Sequence, residues 1–305
     1  MKRLSFFLLA LSIALSALAQ QSLDILTISG RYGLPQSYDD TYTQKATEAG
    51  LFLGLTAPIV LSEKTIIYNS LNYFYFNVQG DSNIPENIAN PINIHGIILR
   101  TGLYQKFGNG QGLQLLFAPR MMSDMNNIDG KSFQFGGMAL YEKVFSDQLT
   151  LSFGAMYNQE LFGPYLVPLV NVNWVISSKW SIAGMLPIYA KVNYHVSDNL
   201  TVGFSHFGLI TSYALGDPAY SGDYIERQSI DLSLFARQRL FGNFFLEGRV
   251  GRSFGRGYKQ FAGDQKVKFA IPLVAFGDDR VEKNSTFKDG IIFDLRFVFN
   301  IPIPE

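Results

Sequence analysis

Short polar turns recur along this chain, each between two runs in which apolar and polar residues alternate. Examples are VLSEKTIIYN at 60–69, VFSDQLTLSF at 144–153 and HVSDNLTVGF at 195–204. Successive side chains of a strand point to opposite faces, so this alternation predicts strands with one apolar face and one polar face. The repetition predicts an all-β chain built from antiparallel hairpins.

Fourteen segments carry the strand pattern, or twelve if the short pair over 180–196 lies outside the sheet. The predicted strands are 23–34, 49–61, 65–78, 93–106, 112–121, 132–145, 149–159, 167–177, 180–186, 188–196, 199–213, 226–240, 243–254 and 289–301. Both counts are even, so both termini are expected on the same side of a closed sheet.

The connections between these segments alternate in length. Short turns near 63, 109, 147, 178, 198 and 242 alternate with connections that are mostly longer, such as 35–48, 79–93, 121–131 and 255–288. Transmembrane barrels sort their connections in this way, with short turns in the periplasm and long loops outside, whereas a soluble sandwich has no reason to do so. The pattern predicts a transmembrane antiparallel up-and-down β-barrel of about 14 strands. Ser82 and Asn127 are then expected outside, and Asp147 and Asp198 in the periplasm.

The N-terminus has the three parts of a secretory signal peptide. Lys2 and Arg3 precede an apolar run, and Ala17-Leu18-Ala19 gives a cleavage pattern of small residues. The apolar run is shorter than the roughly 20 residues of a membrane-spanning helix. We therefore predict a signal peptide over 1–19, a single barrel domain over 20–305, and a location in the outer membrane of a Gram-negative bacterium.

The composition agrees with this class and excludes others. Charged residues make up 16% of the chain, against about 25% in ordinary soluble domains. There are 28 Gly, 26 Phe and 16 Tyr, and no Cys. Without cysteine, neither a disulfide nor a thiolate metal site can form. The 25 basic residues are balanced by 25 acidic ones, and no clustered basic face of the kind that nucleic-acid binding needs is evident.

Two segments carry a resemblance to a known group of proteins. VFSDQLTLSFGAMY and LPIYAKVNYHVSDNLTVGF resemble repeats of the outer-membrane β-barrel proteins common in Bacteroidota, most of all an uncharacterised set known only as a domain of unknown function. The resemblance covers the whole chain after the signal peptide. It implies the fold and the location, and it implies no activity. The partners that we predict for such a barrel are outer-membrane lipid and, during biogenesis, the barrel assembly machinery.

Charged residues lie on the polar faces of the predicted strands. A charge facing lipid near the midplane costs about 2–4 kcal/mol, so these side chains are expected to face the lumen. They would either form ion pairs that fill a narrow lumen or line a water-filled channel. The candidates are Lys191, Arg227, Asp231, Arg237, Arg239, Glu247, Arg249, Asp294 and Arg296.

Four aromatic residues, Tyr141, Trp174, Trp180 and Tyr194, lie beside short turns. They are candidates for an aromatic girdle at one membrane interface, with ordinary core packing as the alternative. The apolar stretch 267–277 within the last long connection would either fold inward and plug the pore or form a surface hairpin.

Two functions follow from this pattern: a channel or uptake pore for small solutes, or a structural or surface-interaction barrel with a filled lumen. A third, minor alternative is a membrane-embedded acyl hydrolase, in which a histidine activates a serine. Ser205 and His206 are adjacent, so a strand would point them to opposite faces. We expect no enzyme and no cofactor. Three scattered histidines and no cysteine give no metal-ligand spacing.

Overall fold

The computed structural model describes residues 22–38, 44–80, 92–220, 222–285 and 287–302. The predicted signal peptide, residues 1–19, and Ser82 lie outside the described residues. Within them, no helix is long and apolar enough to cross a membrane. The strands are β1 (Ser22–Ser37), β2 (Lys45–Thr56), β3 (Ile59–Ser62), β4 (Thr65–Gly80), β5 (Ile92–Phe107), β6 (Gln111–Phe117), β7 (Arg120–Ser123), β8 (Phe133–Gln134), β9 (Gly136–Ser146), β10 (Leu149–Glu160), β11 (Gly163–Val175), β12 (Trp180–Leu186), β13 (Tyr189–Ser197), β14 (Leu200–Ala214), β15 (Tyr224–Phe241), β16 (Phe244–Phe261), β17 (Phe269–Ile271), β18 (Val274–Phe276) and β19 (Gly290–Pro302).

The sheet closes on itself because β1 pairs antiparallel with both β2 and β19. Several of these strands are two pieces of one wall strand. β2 and β3 both pair with β4, and β6 and β7 both pair with β5. β8 and β9 pair in turn with β7 and β6. The wall therefore has fourteen antiparallel strands, which confirms the predicted barrel and excludes the twelve-stranded alternative.

The two ends of the barrel differ in their connections. The short-turn end carries the two- to four-residue turns that were predicted, such as those before β4, β10 and β14, and the loop end carries the longer connections. Two connections break this rule, and one of them is the two-residue connection, Pro187 and Ile188, between β12 and β13. At the other, β11 begins at Gly163 rather than at the predicted 167, so only Leu161 and Phe162 join it to β10 at the loop end.

Strands at the loop end extend further than predicted. β2 begins at Lys45 rather than 49, and β16 continues to Phe261 rather than ending at 254. The polar residues of these strand ends predicted loops, but in the structure their backbone groups form hydrogen bonds within the sheet. Residues 267–277 form the β17–β18 hairpin, with Leu273 80% exposed at its tip. The hairpin pairs with the edge of β11, with Val267 and Ala270 buried and its tip exposed, so neither the plug nor the free surface hairpin describes it alone.

The two faces of the wall differ as alternation requires. On β19, Phe293 and Leu295 point outward and are 43% and 58% exposed, whereas Ile292 and Val298 point inward and are fully buried. Leu234 on β15 is 65% exposed on the same outer face. The outer surface of the barrel is therefore broadly apolar.

Candidate functional site

A cluster of charged side chains lies in the lumen toward the short-turn end, around Glu247 on β16. The carboxylate oxygens of Glu247 are 2.7 Å from the Lys191 ammonium, 2.6 Å from the Arg249 guanidinium and 2.7 Å from the Arg296 guanidinium. Arg237 is 3.7 Å away. The sequence-predicted set thus supplies all five members of this cluster, from strands β13, β15, β16 and β19.

Asp24 on β1 is a second carboxylate at the margin of the Glu247 cluster. It accepts a hydrogen bond from Arg237 at 2.9 Å and lies 4.0 Å from Arg296. Four cationic side chains therefore share two carboxylates. The Glu247 side chain is fully buried, whereas the four cations keep 15–21% of their side-chain surface exposed. The cluster presents an excess of positive charge to the lumen.

The remaining predicted residues lie apart from Glu247. Asp231 pairs with Arg31 of β1 at 2.5 Å, and Asp294 lies in register between Arg31 and Arg249. Arg239 is solvent-exposed near the short-turn end, with its guanidinium 5.3 Å from a phenylalanine ring.

Arg227 belongs to a second cluster, centred on Glu48 of β2. The fully buried Glu48 carboxylate lies 3.0 Å from Arg256, 3.3 Å from Arg31 and 3.4 Å from Arg227. The Tyr258 hydroxyl donates to it at 2.7 Å. Burying a carboxylate is costly unless it is paired and hydrogen-bonded, and here three guanidinium groups and one hydroxyl meet that requirement.

Sequence reasoning missed Glu48, Arg31 and Arg256. Glu48 fell in the predicted 35–48 connection and Arg256 in the predicted 255–288 connection, so neither was assigned a face. Arg31 lies on a predicted strand, two residues after Ser29. This period-two spacing could have assigned Arg31 to the same inward face as Ser29, which is buried. At Gly33, a Cβ atom would come within 3.0 Å of the Arg256 guanidinium, so glycine leaves room for this cluster against β1.

A third group of charged side chains, a buried ion pair, lies at the loop end. Arg120 on β7 pairs with Glu160 at the end of β10 at 2.8 Å. The second oxygen of Glu160 accepts from the Ser212 hydroxyl at 2.7 Å and from the Ser212 backbone N–H at 2.9 Å. A side chain of β10 therefore satisfies a backbone donor on the edge of β14.

Side chains from opposite walls meet at the loop end. β5 and β14 are the fourth and eleventh of the fourteen wall strands, yet a Cβ atom at Gly96 of β5 would lie 3.5 Å from the Tyr213 ring of β14. The backbone N–H of Asp124 donates to the Ala214 carbonyl at 3.0 Å. Two buried apolar clusters fill this end. The first is Tyr38, Ala46, Val78, Ile92, Ile94, Ile98, Met122, Tyr213, Ile225, Tyr258 and Phe287, and the second is Leu140, Phe162, Tyr165, Val167, Leu169, Tyr224, Phe261, Val267 and Ala270.

The last long connection is held at the loop end by Arg280. Its guanidinium lies 2.7 Å from Glu226 and 2.8 Å from Asp278, and it donates to the Tyr224 hydroxyl at 3.1 Å. It also lies 4.2 Å from the Phe261 ring. Hydrogen bonds from Arg280 hold the pKa of Asp278 below its ordinary value, so this carboxylate stays ionised at neutral pH.

The four girdle candidates lie close to short turns. Tyr141, Trp174 and Trp180 are 43%, 40% and 45% exposed, and the Trp180 and Tyr194 rings pack 4.8 Å apart. Trp180 and Tyr194 are register partners on β12 and β13. All four are on the outer face, and their role at a membrane interface stays a prediction.

The structure places Ser205 and His206 on opposite faces of β14. Ser205 is buried and donates to the Ser233 carbonyl, whereas the His206 ring contacts the Pro187 carbonyl oxygen at 2.7 Å. His195 lies 3.4 Å from the Ser181 hydroxyl and 3.1 Å from the Thr201 hydroxyl. In the part of the chain that the structure describes, no group of three or more His, Asp or Glu side chains is placed to hold a metal ion.

Several solved barrels are similar to this chain at low identity. The COG4313 outer membrane channel from Pseudomonas putida F1 is 10% identical, with 95% of this chain and 100% of that chain covered and a TM-score of 0.45. The TodX monoaromatic hydrocarbon channel (deltaS2 mutant) is 8% identical, with 94% and 91% covered and a TM-score of 0.41. The translocator domain of the autotransporter NalP from Neisseria meningitidis is 11% identical, with 98% and 93% covered and a TM-score of 0.37. These likenesses do not bear on what the chain binds.

A search of curated proteins finds no match to this chain. A family model described as a domain of unknown function (DUF6268) matches residues 61–268, a span that runs from the first short turn to the loop before β17. The match covers well over half of the chain, so the chain belongs to this family.

Proposed function

We propose that this chain is an outer-membrane β-barrel that acts as a channel or uptake pore for small solutes, with its loop end shut in this conformation. The observation that carries the proposal is the Glu247 cluster. A barrel that only needs a filled lumen gains nothing from four cations that share two carboxylates, because the surplus positive charge lacks a counter-ion of its own and is costly to bury. A pore that admits solutes gains an attractive surface for anions.

The outer face supports the membrane setting of this proposal. Soluble proteins rarely expose contiguous apolar patches beyond a few hundred Å², whereas residues such as Leu234 and Leu295 continue an exposed apolar surface around this barrel. In lipid that surface would be solvated by acyl chains. Export by the signal peptide and insertion by the barrel assembly machinery belong to the same proposal.

The second candidate is a structural or surface-interaction barrel with a filled lumen. The packed clusters at the loop end favour it, because Tyr213 of β14 shares one buried cluster with Ile94 and Ile98 of β5 across the barrel. A solute pore requires this packing to open, whereas a barrel with a filled lumen requires it to stay closed.

We propose no catalytic role. An acyl hydrolase needs a histidine in contact with its nucleophile and oriented by a third group, usually a carboxylate. Ser205 and His206 face opposite sides, and the two ring nitrogens of His195 face the hydroxyls of Ser181 and Thr201.

Planar-bilayer recording of the purified, folded protein tests the proposal. Folding is checked first by electrophoresis, where a closed barrel should migrate faster unheated than boiled. We expect discrete conductance steps with a weak preference for anions, or swelling of liposomes by small sugars. A folded barrel that gives neither would show that the filled-lumen candidate is correct. Identical migration before and after boiling, with recovery in the soluble periplasm, would remove the membrane setting itself.

A further inference from the structure

One hairpin of the wall is too short to cross a membrane. A tilted membrane strand needs about 9–11 residues, and β12 has 7. β12 pairs with β11 only from Val170 to Val175, and β13 pairs with β14 no further than Phe207. The tip of this hairpin, at Leu186 and Pro187, therefore lies part of the way up the wall. Above it, residues 163–169 of β11 face residues 209–214 of β14 without the hairpin between them. We call this region the wall window.

The β17–β18 hairpin closes the wall window from the β11 side. β17 pairs with β11 through one bridge, Tyr165 with Ala270, and the Val267 N–H donates to the Phe162 carbonyl at 2.8 Å. By comparison, β10 and β11 share twelve register pairs. A Cβ atom at Gly163 would lie 2.7 Å from the Val267 carbonyl oxygen, so the loop and the strand edge are in close contact. The closure is tight, but few backbone bonds hold it.

The edge of β14 on the other side of the wall window is capped at Ser212 by side chains, and at Ala214 by the backbone N–H of Asp124. Ser212 donates its N–H to Glu160, and its carbonyl accepts from the Gln134 amide at 2.9 Å. In lipid every backbone group needs a partner. None of these caps comes from β11 or from the β17–β18 hairpin, so the groups at Ser212 and Ala214 keep their partners if the hairpin leaves β11.

The wall window is lined by apolar side chains. Phe162, Tyr165, Val267 and Ala270 are 2–5% exposed within it. Three methionines, Met138, Met156 and Met185, pack against them from neighbouring strands. Methionine is flexible and adapts to differently shaped apolar groups. A molecule that passed here would exchange contacts with this lining, so it must be apolar over much of its surface.

We propose that the wall window is a lateral portal between the lumen and the surrounding lipid, gated by the β17–β18 hairpin. Its substrates are solutes with an aromatic or alkyl body. This inference rests on the proposed pore function and gives that pore a route around its filled loop end. A solute leaves or enters the lumen sideways, through the part of the wall that the short hairpin leaves open.

A disulfide lock tests the portal. The chain has no cysteine, so a Tyr165→Cys/Ala270→Cys pair introduces the only two thiols. Paired strand positions are about 5 Å apart, within the range that a disulfide spans. The matched control is Ile271→Cys/Val274→Cys, a register pair that joins β17 to β18 and leaves both free of β11. The probe is N-phenyl-1-naphthylamine, whose fluorescence rises when it enters the membrane of intact cells.

We expect cells with the wild-type barrel to take up the probe faster than cells with an empty vector. The oxidised 165–270 lock should reduce the rate to that of the empty vector, and a reductant should restore it. The control pair should match wild type in both states. Two results together would exclude misfolding of the locked variant. The reductant restores the uptake rate, and the oxidised protein still migrates faster unheated than boiled.

Two outcomes overturn the portal while leaving the pore intact. One is a wild-type rate that the oxidised lock does not change. The other is ion conductance in bilayers with no uptake of the probe above the empty vector. Absence of both conductance and uptake would instead overturn the proposed pore function, and the portal with it.

Discussion

The Lys191 ammonium on β13 and the Glu247 carboxylate on β16 are 2.7 Å apart, although two whole strands, β14 and β15, separate them around the wall. The contact is possible because both side chains point inward and the lysine reaches along the lumen. The Lys191 ammonium also lies 4.8 Å from the Phe235 ring of β15, one of the two strands in between. Glu247 is thus the point at which charges from several strands converge.

Glu247→Gln should strengthen the preference of the pore for anions. The substitution removes the carboxylate that Lys191, Arg237, Arg249 and Arg296 share, and it leaves Asp24 beside Arg237 and Arg296 and Asp294 beside Arg249. The reversal potential under a salt gradient measures this preference. In the variant, the reversal potential should lie closer to the equilibrium potential of the anion than in wild type. The difference between the two proteins should shrink as salt rises, since the screening length is about 8 Å at physiological ionic strength and falls further at higher salt. A shift toward cations would show that the cluster does not face the conducting path.

Arg237→Gln should reduce anion preference more than Arg239→Gln. Both were predicted to line the lumen, but Arg237 lies within the Glu247 cluster, whereas Arg239 is exposed near the short-turn end. A charge inside the lumen should influence selectivity more than a charge at the open mouth, because solvent screens the charge at the mouth. The same reversal-potential measurement compares the two variants, and equal effects would place the selective section nearer the mouth.

Glu48→Gln should destabilise the folded barrel by about 3–5 kcal/mol, the usual cost of removing one partner of a buried ion pair. Three guanidinium groups, on Arg31, Arg227 and Arg256, would lose their shared carboxylate. The measurement is the temperature at which the fast-migrating folded band converts to the slow one. Glu63→Gln, in an exposed turn, is the control and should change stability by less than about 0.5 kcal/mol. Equal conversion temperatures for both variants would contradict a stabilising role for the Glu48 cluster.

Alternation and turn spacing were sufficient to predict the barrel and its strand number. A closed sheet with one apolar face requires period-two alternation, and fourteen such segments are visible in the chain. The least regular pair, 180–196, was the hardest to assign, and it proved to be the short hairpin beside the wall window. Its irregularity in sequence reflects a real irregularity of the wall.

The lumen could be predicted only in part. Alternation assigns a side to Glu247 or Arg296, but it cannot show that Lys191 reaches over two strands to meet them. Glu48 was missed because strand ends beyond an apolar belt are polar on both faces and resemble loops. The contact of β14 with the opposite wall depends on strand pairs far apart in sequence, and no local pattern encodes it.

Arg280→Gln should loosen the gate at the wall window and raise the uptake of N-phenyl-1-naphthylamine above wild type. Arg280 connects the last loop to Glu226 at the start of β15, at 2.7 Å, and this pair is at least 90% buried. Glutamine can keep one hydrogen bond but cannot neutralise the Glu226 carboxylate, so the loop should detach more often. Arg252→Gln removes an arginine from an exposed position on β16 and should leave uptake unchanged. Combining Arg280→Gln with the oxidised 165–270 disulfide should abolish the gain, because the lock holds β17 on β11 whatever the state of the loop. A gain that survives the lock would mean that the solute leaves through the loop end rather than through the wall.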